Sequence, residues 1–181
     1  MRHRGWMVLL VLLVLGGCQT RIDRGVQCMV EPGALSEAQT FSWLEGEPVK
    51  LRDPTGYVSP LAVERLKGAV QAELEGKGLR LFDPSTDLIS DLAVSLTLRT
   101  RRELVGTQSS AVDCTQDCEG AGGVATRMDI RTIGFLAADV YQADLPVWHA
   151  WVETTLYPEN RDQVGQVIAR VVPALLADFP P

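Results

Sequence analysis

The sequence predicts an α+β domain: a two-layer sandwich of a mainly antiparallel β-sheet, about five or six strands, with two helices packed on one face. Three observations carry that expectation. An early and a final segment repeat apolar residues at helical spacing, the stretches between them alternate at strand spacing, and residues 135–156 turn back on themselves at a short polar stretch, "QADLP". The 181 residues, 46% hydrophobic and 22% charged, suit one globular domain with a substantial core.

The chain opens with Arg2, His3 and Arg4, followed by the unbroken apolar run "WMVLLVLLVL" from Trp6 to Leu15 and by Gly16 and Gly17. A basic start, a short apolar run and small residues make an export signal. The run is shorter than the roughly 20 residues needed to span a bilayer, and polar "QTRIDRG" follows it. "LGGC" resembles the bacterial lipobox, in which Cys18 takes a diacylglycerol and becomes the first mature residue. The competing reading is a secreted protein cut by an ordinary signal peptidase, with Cys18 incidental. The register of apolar run, small residues and cysteine favours acylation. The expected organisation is therefore a signal peptide over residues 1–17, a lipidated tether over 18–24 and a single domain over 25–181. Gln19, where Asp would hold an enterobacterial lipoprotein at the inner membrane, points to the periplasmic face of the outer membrane of a Gram-negative bacterium. Membrane lipid through Cys18 is then the first partner. Losing Arg2 and Arg4 takes the net charge from −6 to −8, which argues against nucleic acid, whose binding rests on neutralised phosphates.

Val26 to Val30, bounded by Gly25 and "EPG", reads as the first strand, and "TFSWL", Thr40 to Leu44, as the second. Residues 45–59, rich in Pro, Gly and charge, read as a loop. Ser59 and Pro60 open a helix whose stripe is Val63, Leu66, Val70 and Leu74, and Gly76 and Gly78 end it. "LRLF", Leu79 to Phe82, is a strand at the end of a crossover back to the first strand. Leu92, Val94, Leu96 and Leu98 alternate with Ala93, Ser95, Thr97 and Arg99, the strongest strand signal in the chain. A Gly-, Ser-, Asp- and Cys-rich loop from about Val105 to Thr126 precedes the strands Asp129 to Tyr141 and "VWHAWVETTLY", an antiparallel meander. The last helix is capped by Asn160, carries Val164, Val167, Ile168, Val171, Leu175 and Leu176 on one side, and meets a break at Pro173.

With "QTFSWL", "LKGAVQAELEGKGLRLFD", "DLAVSLTL", "FLAADVYQADLPVWHAWVETTL" and the terminal "ADFPP" in place, the chain resembles the domain-of-unknown-function 4136 family of bacterial envelope lipoproteins over nearly the whole mature length. The resemblance implies an exported, lipid-anchored α+β domain without a catalytic motif. The "DCTQDC" loop departs from the family pattern, so it implies nothing about Cys114 and Cys118.

Acylation of Cys18 leaves Cys28, Cys114 and Cys118 in an oxidising compartment, an odd number. Cys114 and Cys118 share a glycine-flanked loop and are the leading disulfide candidates, with Cys28 bonding either one as the alternative. Cys28 otherwise reads as a buried, inert thiol in a strand. A zinc site from these thiols and His149 would need the loop to fold onto strand edges. No metal or cofactor is expected. His149 follows Trp148 within a strand, where histidine is more often a half-exposed spacer than a general base. No phosphate-loop, dinucleotide, G-x-S-x-G or H-E-x-x-H motif occurs, and the expectation is a protein that is not an enzyme.

If Trp148, Ala150 and Val152 face the helices, strand parity turns Val147, His149, Trp151 and Glu153 to the opposite face, where Phe135, Asp139 and Tyr141 can join them. These residues make a candidate binding face for an envelope protein or lipid; the bland alternative is an ordinary solvated sheet face or a dimer contact. Arg99, Arg101, Arg102, Arg127 and Arg131 cluster about the long loop, where they either meet anionic groups or pair with nearby acids. The leading expectation is a non-enzymatic accessory or binding lipoprotein. Its alternatives are an auxiliary lipoprotein of lipid or ligand transport, marked by an apolar groove between sheet and helices, and a hydrolase, marked by a polar pocket holding His149 with acids and a nucleophile.

Overall fold

The computed structural model describes residues 22–30, 33, 35–83, 85, 89–109, 125–157 and 164–180. In chain order its elements are β1 (Ile22–Cys28), β2 (Thr40–Trp43), β3 (Val49–Arg52), α1 (Pro60–Gly76), β4 (Arg80–Leu81), β5 (Leu92–Ser109), β6 (Ala125–Gln142), β7 (Leu145–Leu156) and α2 (Val164–Leu175). One sheet runs β1-β7-β6-β5-β2-β4, with β3 also paired to β5. The α+β sandwich expected from the sequence is present, with seven strands among the described residues in place of five or six. The extra strand is β3, hidden in a stretch whose Pro and Gly read as loop. It gains strand character by lying parallel to β5, Val49 opposite Leu96 and Arg52 opposite Arg99.

The long ladders, β1 to β7, β7 to β6 and β6 to β5, are antiparallel, and the short ones involving β2, β3 and β4 are parallel. The crossover through α1 returns to β2, Thr40 opposite Arg80, and not to the first strand, because β1 sits at the far edge against β7. β1 begins at Ile22, so residues 22–24 belong to the sheet and not to a tether.

Local chemistry explains the ends of α1. Ser59 caps it, its Oγ accepting from the Ala62 amide at 3.2 Å, and Pro60 occupies the first turn, where a missing N–H loses nothing. At the other end Gly78 takes a φ of +96°, the Leu79 amide donates to the Leu74 carbonyl and the Gly78 amide to that of Glu75. This is a Schellman cap, completed by the buried Leu74 and Leu79 side chains. Ala62, Leu66, Val70 and Leu74, each four residues from the next, are the buried stripe. In α2 the helix runs two residues past Pro173, so the lost hydrogen bond falls in the last turn. Its expected cap, Asn160, lies outside the described residues.

Helices and sheet share one core. Val94 and Leu96 of β5, Leu136, Ala138 and Val140 of β6, and Trp148, Ala150 and Val152 of β7 meet Leu66, Val70 and Leu74 of α1 and Val171, Val172 and Leu175 of α2. Trp148 is fully buried and stands edge-on to Phe179, ring centroids 5.0 Å apart. Two parity expectations fail. Val147 is buried with the core, because β7 carries one extra residue opposite the Val140/Tyr141 step and the bulge swings it inward. Cys28 is exposed and its thiol is free: β1 is an edge strand, and Cys28 ends it beyond the cover of the helices.

The β5–β6 hairpin extends further than its composition suggests. β5 continues to Ser109 and β6 starts at Ala125, so much of the expected loop is paired strand. β7 stops at Leu156, opposite Thr132, and β3 at Arg52, opposite Arg99, so the hairpin projects beyond the rest of the sheet.

Candidate functional site

The face of the sheet away from the helices is ordered by register. Across β1, β7, β6 and β5, one row reads Gln27, His149, Asp139 and Ser95; the next Gly25, Trp151, Ala137 and Thr97; the third Asp23, Glu153, Phe135 and Arg99. Phe135, Asp139, Tyr141, His149, Trp151 and Glu153 therefore share this face, each half-buried.

Trp151 has small neighbours in its own row, Gly25 on one side and Ala137 on the other, and this lets the indole lie against the sheet. A Cβ on Gly25 would come within 2.5 Å of Trp151 Nε1 and 2.7 Å of Cε2. Phe135, on the diagonal, stacks on the indole with centroids 6.1 Å apart and planes 18° from parallel. The Arg99 guanidinium sits 5.5 Å from the Phe135 ring centre and extends the stack. The result is an aromatic and cationic ledge crossing four strands.

Polar pairs flank the ledge. Arg101 grips Glu153 through Nη1 at 2.7 Å and Nη2 at 3.3 Å, and this fork, with the burial that opposes it outweighed, raises the guanidinium pKa. On the other side His149 Nδ1 lies 2.7 Å from Asp139 Oδ1. Burial, aided by the Asp139 charge, pushes the Tyr141 phenol up and keeps it neutral.

An oriented histidine beside a carboxylate invites a catalytic reading, and Ser95 is not placed to complete it. Ser95 Oγ is buried without a hydrogen-bond partner among the described residues, yet it lies on the far side of Asp139 from His149. Two strand spacings, about 10 Å, separate the strands of serine and imidazole, beyond the roughly 3 Å of a nucleophile and its base. Among the described residues no three His, Cys, Asp or Glu side chains gather as metal ligands. Cys18, Cys114 and Cys118 lie outside the described residues. No described helix is long and apolar enough to cross a membrane.

On the helix side there is a cavity of about 80 Å³, lined by Leu66, Leu98, Leu136, Val152, Val167 and Ile168 among others. It is about half the size of an engineered apolar cavity that admits benzene, about 150 Å³.

A family model for a domain of unknown function, DUF4136, matches residues 30–181. The chain belongs to the DUF4136 family. Among solved structures this DUF4136 domain is similar to a DUF4136 family protein from Bacteroides thetaiotaomicron, at 10% identity over 88% of this chain and 96% of that one, with a TM-score of 0.51. It is also similar to the PelC dodecamer from Paraburkholderia phytofirmans, at 12% identity over 86% and 96% of the two chains and a TM-score of 0.46. A PDZ domain protein from Parabacteroides distasonis matches at 9% identity over 90% of this chain and 38% of that one, with a TM-score of 0.44. At 10% identity the likeness to the Bacteroides thetaiotaomicron protein shows a shared fold alone. No protein of curated function matches the DUF4136 chain in sequence.

Strand parity alone places six residues on the face and misses Gly25, which reads as a strand boundary, and the parts played by Arg99 and Arg101, which group with the loop. The missing information is register: Gly25 opposite Trp151 and Arg99 opposite Phe135 follow only once the strands are aligned.

Proposed function

We propose that the protein is a non-enzymatic binding module, held by an acylated Cys18 at the periplasmic face of the outer membrane, that presents its helix-free sheet face to an envelope partner. The observation that carries this reading is the Arg99, Phe135, Trp151 stack laid over Gly25, with Glu153 and Asp139 fixed beside it by Arg101 and His149. Aromatic surface on preset, hydrogen-bonded supports resembles the anchor of a protein-binding patch, where tryptophan, tyrosine and arginine dominate the energy. The apolar cavity is what would favour lipid transport, and its size argues against that use: an acyl chain needs a continuous groove, and this space admits only a few carbons.

The test is a photocrosslinking amino acid placed in cells at Trp151 and, as control, at exposed Glu64 on α1. Discrete adducts are expected from position 151 alone. Equal or absent crosslinking at the two positions overturns the binding face. The anchor is checked separately by the intact mass of the mature protein, which is expected to carry acyl chains at Cys18 and to lose them in Cys18→Ser.

A further inference from the structure

The projecting part of the β5–β6 hairpin carries an apolar stripe. Leu104 and Ile130 face one another across the ladder and Met128 follows on the same side, and the three are 69%, 67% and 66% exposed. Their parity is that of Leu96, Leu98 and Leu136, so the stripe continues the helix-side face of the sheet outward past the end of β7. A single exposed apolar side chain needs no explanation. Three adjacent ones on a protruding ribbon do.

The direction of β1 says what they meet. Ile22 pairs with Thr154, Thr154 with Gly134 and Gly134 with Thr100, so β1 starts at the end of the sheet from which the hairpin projects. Cys18 lies four residues earlier in the sequence, a reach of about 14 Å at most. The Leu104–Ile130 pair lies four residues beyond the Thr100–Gly134 pair, about 13 Å along the ribbon. A tether of that length can span the distance by which the stripe projects from the same end of the domain.

The geometry points to the stripe of Leu104, Met128 and Ile130 as a second membrane contact, lying in the lipid interface of the bilayer that holds the acylated Cys18. This inference rests on the anchor proposed above. Among the described residues both backbone edges of the projecting ribbon are unpaired beyond β3 and β7, so it does not enter the hydrocarbon core, where unsatisfied amides are excluded. It lies along the surface, apolar side chains inward. Arg102 shares the stripe's parity and stands two residues, about 7 Å, along the ribbon toward the body of the domain, from where its long side chain snorkels to headgroup phosphates. Tyr157, exposed at the root of the hairpin and held through its carbonyl by the Tyr57 hydroxyl, adds an interfacial aromatic at the same end. A lipid chain and this ribbon together would fix the tilt of the domain, which a chain alone leaves free.

The experiment uses the full mature protein in vesicles of phosphatidylethanolamine and phosphatidylglycerol containing traces of radiolabelled phospholipid. p-Benzoylphenylalanine is placed at Ile130, at Met128 in a second variant, and at Leu145, at the opposite end of the sheet, as control. Label transfer on irradiation is expected at Ile130 and Met128 at least about fivefold above that at Leu145, since only an interfacial residue touches lipid. Transfer no greater than the control at both positions overturns the inference. A crosslinked dimer of the chain from those positions in place of lipid also overturns it, by showing that a second copy covers the stripe. Intact mass reads acylation of Cys18 independently, so a failed anchor and a failed stripe give different results.

Discussion

Gly25→Ala tests whether the ledge is built as the register implies. Gly25 lies outside the left-handed region, so alanine suits its backbone, and in a strand the change by itself should stabilise by roughly 0.5–1 kcal/mol. The new methyl, however, would sit 2.5, 2.7 and 2.9 Å from Trp151 Nε1, Cε2 and Cζ2. Contact distances near 3.5–4 Å require the ring to move outward by about 1 Å, with overpacking worth about 1–3 kcal/mol, or to leave Phe135 and lose about 0.5–1.5 kcal/mol of stacking. The net expectation is destabilisation by about 1 kcal/mol. In Trp151→Ala protein the obstacle is gone, and Gly25→Ala should stabilise by roughly 0.5 kcal/mol. Urea unfolding followed by far-ultraviolet circular dichroism on the four proteins of this cycle gives the coupling, expected at about 1.5 kcal/mol with unchanged m-values. A coupling below about 0.5 kcal/mol would refute the argument that the glycine exists to seat the indole.

Two further expectations follow from the scaffold. Burial raises the Asp53 pKa, but hydrogen bonds from Thr100, Thr55 and the Val58 amide outweigh it and leave the folded value below the ordinary 3.8. A lowered carboxylate contributes stability that is present above the unfolded pKa and lost as pH falls through the folded one. Asp53→Asn should therefore cost about 1 kcal/mol at pH 7, solvent screening holding it to the low end, and the difference from wild type should shrink as pH falls below the ordinary 3.8. Unfolding midpoints measured from pH 7 to 2.5 check this, and a constant difference across the range would mean that the charge is not responsible. The β6–β7 turn places Ala143 at φ +48° and Asp144 at +65°, a two-residue turn in which both residues are left-handed. Ala143→Asn with Asp144→Gly supplies the residues such a turn favours and should raise stability by about 1–2 kcal/mol, read as a higher thermal midpoint. An unchanged midpoint would show that the turn stores no such strain.

Much of the face is legible in the sequence, because alternation is a backbone property: once Trp148, Ala150 and Val152 are inward, His149, Trp151 and Glu153 are outward. The same rule fails at Val147, where the bulge breaks the count, and at Cys28, where inward parity does not guarantee burial at the end of an edge strand. β3 escapes because four residues among Pro, Gly and charge carry too little periodicity, and pairing with β5 decides their conformation. The reach of the β5–β6 hairpin is obscured by a Gly-, Ser- and Asp-rich stretch that composition marks as loop.

The sequence by itself determined the sandwich class, both ends of α1, the antiparallel meander and the residues that alternate onto its two faces, because capping, helical period and strand parity act over a few residues. Only the tertiary structure decided that Gly25 seats Trp151, that Arg101 holds Glu153, and that Ile22 and the projecting hairpin share one end of the sheet. Those relations join residues up to about 130 positions apart, and long-range pairing sets them.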